Sequence, residues 1–310
     1  ATHAARAAHE ARAILRRGRT AIGATAGCAR RSRESVASVA QRCAASADDA
    51  RLTLAIARTA AQHGAAVANR CRVVELTHGA DGKVDGAVVD TGREHIRVRA
   101  RAVVSATGVW ADELHRLDDP GHAVTLRPAK GVHVTVPWSL VRNRIAVIIS
   151  VPKDKRSLFL VPWGPRPDGT FDHCYIGTTD TDHDGDLDGP QTDDADLDYV
   201  LRAVNHSLTT TITRDDVTGV WAGLRPLVRA ADSGRTADLS RRHLIDTGST
   251  GLITVTGGKL TTYREMAEDT VDAVLRGLGR SARCRTRRMR LVGADGYDRT
   301  GEFPWDNIRA

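Results

Sequence analysis

Gly251-Leu-Ile-Thr-Val-Thr-Gly-Gly-Lys-Leu-Thr-Thr-Tyr-Arg264, continued by Glu-Met-Ala-Glu-Asp-Thr-Val-Asp-Ala-Val-Leu275, reads as a strand, a turn and a helix. Leu252 to Val255 is a short apolar run. Leu260, Tyr263, Met266, Ala267, Val271, Val274 and Leu275 then recur at roughly helical spacing, with charged residues on the opposite face. Between the two, Gly257 and Gly258 permit left-handed dihedrals or close approach of the backbone to a ligand. Lys259, Thr261 and Thr262 add a cation and two hydroxyls to the free N–H groups of a positive helix end. Such a corner can serve as an anion or cofactor platform. Taken alone, it reads first as an ordinary strand–turn–helix connection.

The chain around this corner has 310 residues, enough for two domains or one large one. Its longest apolar runs, such as Ile145 to Val151, fall far short of a membrane span, and its first residues show no apolar core of a secretory signal. Five cysteines are scattered without a C-x-x-C pair, which suits a reducing compartment and suggests no metal site. The net charge of +7 is concentrated at the ends. Residues 1–47 hold nine arginines against two glutamates, and Arg280 to Arg290 holds six arginines with no acid, so the remainder is acidic on balance. Neither basic end carries interleaved aromatics or a binding motif, so no nucleic-acid partner is expected.

Residues 1–46 are rich in Ala, Arg and Ser and lack a usable hydrophobic face, which predicts disorder. Asp48 to Gly64 reads as a capped amphipathic helix. Strands follow around Val67–Leu76, Val84–Val89 and Ile96–Val98, then a buried strand over Ala102–Ser105 that leads into Ala106-Thr-Gly108. Longer strands come next, at Gly131–Val136, Ile145–Val151, Leu158–Val161, Cys174–Thr178 and Val217–Leu224, interrupted by one helix capped near Thr192–Asp194. Strand Leu244–Asp246 returns the chain to the opening corner. The pattern predicts an α/β (α+β mixed) fold with a β-meander in the first domain and a second, mostly antiparallel domain. The loop Thr178–Asp188 is rich in carboxylates but lacks the twelfth-position glutamate and flanking helices of an EF-hand, so a solvated loop is expected there and no metal.

In order along the chain stand Asp49-Ala-Arg-Leu52, Ala68-Asn-Arg70 with Val73, and Val103-Val-Ser-Ala-Thr-Gly-Val-Trp-Ala-Asp112. They are followed by Arg127-Pro-Ala-Lys-Gly-Val-His-Val134, Tyr175-Ile-Gly-Thr-Thr-Asp-Thr181, Trp221-Ala-Gly-Leu-Arg-Pro-Leu227, Ser240-Arg241 and Thr256-Gly-Gly-Lys-Leu-Thr-Thr-Tyr-Arg264. As an ordered set these segments, over roughly Asp48 to Gly279, resemble the FAD-dependent glycerol-3-phosphate dehydrogenases of the D-amino-acid-oxidase-like flavoproteins. The resemblance implies oxidation of sn-glycerol 3-phosphate to dihydroxyacetone phosphate, with the hydride taken by FAD and the electrons passed to a quinone. It also implies a cytoplasmic protein, peripheral on the inner face of the membrane.

By the same resemblance His133 and Arg225 are the catalytic positions, and Arg241 and Lys259 bind substrate. Val73, Ala106, Gly108, Gly257, Gly258, Lys259, Leu260, Thr261 and Thr262 line the cofactor. The chemistry agrees: a phosphate dianion suits the forked donors of arginine, and an imidazole can accept a hydroxyl proton near neutrality. An ordinary strand histidine remains the alternative for His133. The resemblance further implies a partial FAD-binding Rossmann-like domain over 47–125 and 223–280, a substrate domain over 126–222, and the start of a further domain over 281–310. The G-x-G-x-x-G turn expected of the family's first strand is absent, since Gly18 to Gly27 has the wrong glycine spacing. The chain is therefore expected to be a fragment that lacks that turn and most of the C-terminal domain, and to bind FAD weakly or not at all. An inactive remnant, or an oxidase of the same superfamily acting on an amine, are the alternatives.

Overall fold

The computed structural model describes the backbone of residues 42–44, and residues 48–154, 156–228 and 243–294. Helix α1 (Asp49–Gln62) begins where its cap dictates, with the Asp48 carboxylate accepting from the Arg51 N–H at 2.9 Å. It buries Leu52 and Ala55 against Ile56, Tyr263 and Leu291.

Strands β2 (Arg72–His78), β3 (Val84–Asp90) and β4 (His95–Arg99) form the expected meander as a separate antiparallel sheet. Strand β5 (Val104–Ser105) leads through a 3-10 turn over Gly108–Trp110 into α2 (Ala111–Asp118). Near the chain's end, β12 (His243–Thr247) and β13 (Ile253–Gly257) pair antiparallel, and β13 pairs parallel with β5. A 3-10 turn over Leu260–Thr262 then opens α4 (Tyr263–Gly277), the helix expected from the glycine corner. Leu252, at the start of this corner, is fully buried with Leu76 and Val84 and so joins the meander to it.

The second region is one antiparallel sheet. It contains β6 (Leu126–Pro137), β7 (Ala146–Ser150), β8 (Ser157–Pro165), β9 (Phe171–Gly177), β10 (Thr181–Asp182) and β11 (Gly219–Val228). The order runs β7-β8-β9-β6-β10, with β11 on the other side of β6. Helix α3 (Asp194–Asn205), closed by a capping box between Asp193 and Asp196, covers one face. There Val134, Val136, Leu158, Leu160, Ile176, Val200 and Val204 interdigitate. Each such side chain contributes about 1.5–3 kcal/mol through burial.

Three expectations change. Arg42–Ala44, inside the segment expected to be disordered, forms β1 and pairs antiparallel with Ala146–Ile148. An exposed sheet edge offers backbone donors and acceptors to any extended segment, whatever its side chains. The Ala102–Ser105 strand shrinks to β5, an edge strand that among the described strands pairs only with β13, and its Val104 is exposed. The boundary at 222–223 falls inside β11, which runs unbroken along β6 from Gly219 to Val228 and keeps Arg225 on the same sheet as His133.

Candidate active site

Side chains alternate along a strand, and directly opposed residues share a face. On β6 and β11 the pairs His133↔Trp221, Gly131↔Gly223 and Ala129↔Arg225 therefore line the face turned away from α3. Strand β9 adds Tyr175, opposite Thr135, and Gly177, opposite His133.

On this face the His133 ring stacks on Trp221 with centroids 5.1 Å apart and 10° between planes. Tyr175 meets both rings edge-on, at 6.3 Å from His133 and 5.7 Å from Trp221. Two glycines make room for these groups. A Cβ on Gly177 would lie 2.4 Å from His133 Cδ2, and one on Gly131 would lie 2.6 Å from an Arg225 guanidinium nitrogen. Arg225 itself reaches across β6, donating to the Thr179 carbonyl and the Thr178 hydroxyl at 3.2 Å each, with an Asp180 carboxylate oxygen 3.7 Å away. That contact aims the guanidinium along the sheet.

The position of β6 is set at both ends of the site. At its start, buried Asp112 on α2 accepts from the Thr125 hydroxyl, the Thr125 and Leu126 N–H groups and the His122 ring. Burial pushes the Asp112 carboxyl up, but these hydrogen bonds outweigh it and hold the group below its ordinary value. Beside Gly131, the buried Lys130 ammonium contacts Asp196 at 2.6 Å and Asp193 at 3.1 Å, so it ties the capping box of α3 to the back of the site.

Burial and the nearby Arg225 charge push His133 down to about 4, against a smaller opposing effect of the Asp49 carboxylate on α1. His133 is thus a neutral imidazole at pH 7. In the unfolded chain it would take up a proton below its ordinary 6.5, whereas the folded chain resists this until about 4. Stability is therefore expected to fall as pH drops through that window, by at most about 3 kcal/mol. His133→Gln should flatten the slope, as urea unfolding at neutral and acid pH would show. Burial, with help from Asp49 and Asp48, pushes the Tyr175 phenol up to about 12, so it is a neutral wall. Cys174, also raised to about 12 by burial, is inert.

The remaining expected positions are divided. Lys259 is exposed at the head of the 3-10 turn, where its carbonyl accepts from the Thr262 N–H and hydroxyl at 3.0 Å each. Leu260, Thr261 and Thr262 form that turn, and β13, which precedes it, packs against β11. Gly257 and Gly258 have φ of 71° and 76°. At Gly258 the positive φ favours glycine, and a Cβ there would also meet Met266 Sδ at 2.5 Å. Gly108, with φ of 59°, faces open space at the head of its turn, and Ala106 just before it is exposed. Val73 lies in β2 and packs against the buried Leu76, Val84 and Leu252 group. Arg241 lies outside the described residues.

Trp221, Tyr175, Thr178, Gly131 and Gly223 had no role assigned from sequence. Counting back in twos from Arg225 reaches Gly223 and Trp221, and from His133 reaches Gly131; the signal is that alternation.

Chains of known identity are similar to this one in sequence and fold. Glycerol-3-phosphate dehydrogenase 2 of Mycobacterium tuberculosis (strain ATCC 25618 / H37Rv) is 42% identical over 252 residues, which cover 81% of this chain and 41% of that protein. Glycerol-3-phosphate dehydrogenase of Mycobacterium leprae (strain TN) is likewise 42% identical over 252 residues, with the same coverage. The crystal structure of the glycerol-3-phosphate dehydrogenase from Bacillus halodurans complexed with FAD superposes with a TM-score of 0.68 at 39% identity, covering 79% of this chain and 46% of that one. The chain thus spans less than half the length of these relatives. The sequence pattern of the FAD dependent oxidoreductases matches residues 2–264, and the chain belongs to that family.

Proposed function

We propose that this chain carries the substrate site of an FAD-dependent enzyme that oxidises sn-glycerol 3-phosphate to dihydroxyacetone phosphate. The observation that carries the reading is one sheet face on which a neutral His133 and the Arg225 guanidinium stand on adjacent strands with open surface between them. Arg225 would hold the phosphate dianion through its guanidinium fork, and an imidazole nitrogen of His133 would take the proton of the substrate hydroxyl. The Trp221 ring holds that imidazole in plane, and the aromatic walls limit water around it.

The residues present fit one side of a flavin nucleotide. Gly108 leaves bare backbone at a strand end, and the turn at Leu260–Thr262 opens with N–H groups that no helical acceptor can satisfy. Ala106, Gly108, Gly257 and Leu260–Thr262 would hold the cofactor, with Lys259 at its edge and Val73 on the adenine side. When bound, FAD supplies the hydride acceptor that no side chain can provide.

A quinone as the electron acceptor accords with a hydride removed from an alcohol and delivered as electrons. A cytoplasmic location at the inner membrane face accords with the six arginines of Arg280–Arg290, all exposed, which suit an anionic lipid surface. No described helix is long and apolar enough to cross a membrane. Dye reduction at saturating FAD tests the reading. Glycerol 3-phosphate is expected to support it and glycine not to, and the reverse order would favour an amine oxidase.

A further inference from the structure

Four glycines share the site face of the sheet, and three have a packing reason to be glycine. Gly131 lies under the Arg225 guanidinium, Gly177 lies under the His133 ring, and a Cβ on Gly219 would fall 2.8 Å from the Thr135 hydroxyl. Gly223 is the exception. Among the described residues nothing stands within 4 Å of where its Cβ would be. Its φ lies outside the left-handed range, so the backbone does not require glycine there either. It is exposed in the middle of a strand, where glycine is less favourable than a residue with a side chain. Nothing in the described fold compensates for that choice.

A bare strand position marks a surface kept clear for a close approach. Gly223 sits opposite Gly131, with Trp221 two residues to one side and Arg225 two residues to the other. Two residues span about 7 Å along a strand. The Arg225 side chain crosses to Gly131, opposite Gly223, so the bare surface runs about 7 Å from the His133–Trp221 stack to the flank of the guanidinium.

We propose that Gly223 is the specificity-determining residue of this site, the floor of a shallow slot that admits an unbranched three-carbon phosphate ester laid flat between His133 and Arg225. The inference rests on the functional reading above and deepens it, because it says why the substrate must be small. A phosphate alone needs only the Arg225 guanidinium, whereas the ester must also lie over the bare surface at Gly223 to bring its hydroxyl to His133.

Gly223→Ala and Gly223→Val test this in the full chain at saturating FAD, by calorimetric titration with sn-glycerol 3-phosphate and, separately, with inorganic phosphate. Thermal melts are expected to be unchanged or raised for Gly223→Ala, since its methyl group meets open space. Affinity for glycerol 3-phosphate should fall at least 10-fold in Gly223→Ala and further in Gly223→Val, while affinity for phosphate stays within about twofold. Glycerol 3-phosphate binding within twofold of the unsubstituted chain in both variants would overturn the assignment of Gly223 and leave the functional reading standing. No binding of glycerol 3-phosphate by the unsubstituted chain would overturn both.

Discussion

Lys130→Ala is expected to destabilise the protein by about 3 kcal/mol, because it strands a buried carboxylate. Asp196 is 4% exposed, and Lys130 Nζ lies 2.6 Å from its carboxylate. Burial alone would push the Lys130 ammonium down, but Asp196 and Asp193 more than offset this and hold it above its ordinary value. Removing the cation leaves Asp196 desolvated with no opposite charge, and the capping box of α3 loses its tie to β6. Replacing both partners, as Lys130→Met with Asp196→Leu, should recover most of the loss, since the expensive state is one buried charge without the other. Urea unfolding of the single and double variants measures this: the midpoint should drop in Lys130→Ala and largely return in the double variant.

Arg225→Gln is expected to lower kcat/KM for glycerol 3-phosphate by at least about 100-fold. Two charge-assisted hydrogen bonds to a phosphate are worth about 1.5–3 kcal/mol each, and about 1.4 kcal/mol is a factor of ten. Arg225→Lys keeps the charge without the planar fork and should fall between the two. A second effect follows from geometry. The Arg225 charge helps hold His133 down, so its removal should move the acid limb of the pH–rate profile upward. A residue that served only to hold β11 in place would not shift that limb.

Much of the fold was legible in the sequence because its cues are local. The Asp48 cap places α1, the acidic start near Asp193 places α3, and the double glycine ahead of Leu260 places α4 within a turn of its observed start. Less visible was α2, whose eight residues carry few apolar side chains and no side-chain cap. Strand β8 runs past Pro162 to Pro165, although proline predicts a strand end, because the chain pairs with β9 up to Pro165↔Phe171. The site was legible as residues and not as a surface. His133 and Arg225 could be named, but their common face depends on the register of β6 against β11, which joins distant segments and leaves no local mark. The Trp221 stack and the open floor at Gly223 follow from that register. Lys259 was assigned to the same pocket, and the fold places its turn after β13, next to β11.

The most direct test of the central claim is an anaerobic titration of the full chain, saturated with FAD, with sn-glycerol 3-phosphate, followed by the absorbance of oxidised flavin. Bleaching by glycerol 3-phosphate, lost in Arg225→Gln and absent with glycine, is the predicted result. Flavin that stays oxidised with glycerol 3-phosphate, or that glycine bleaches equally well, would contradict the account.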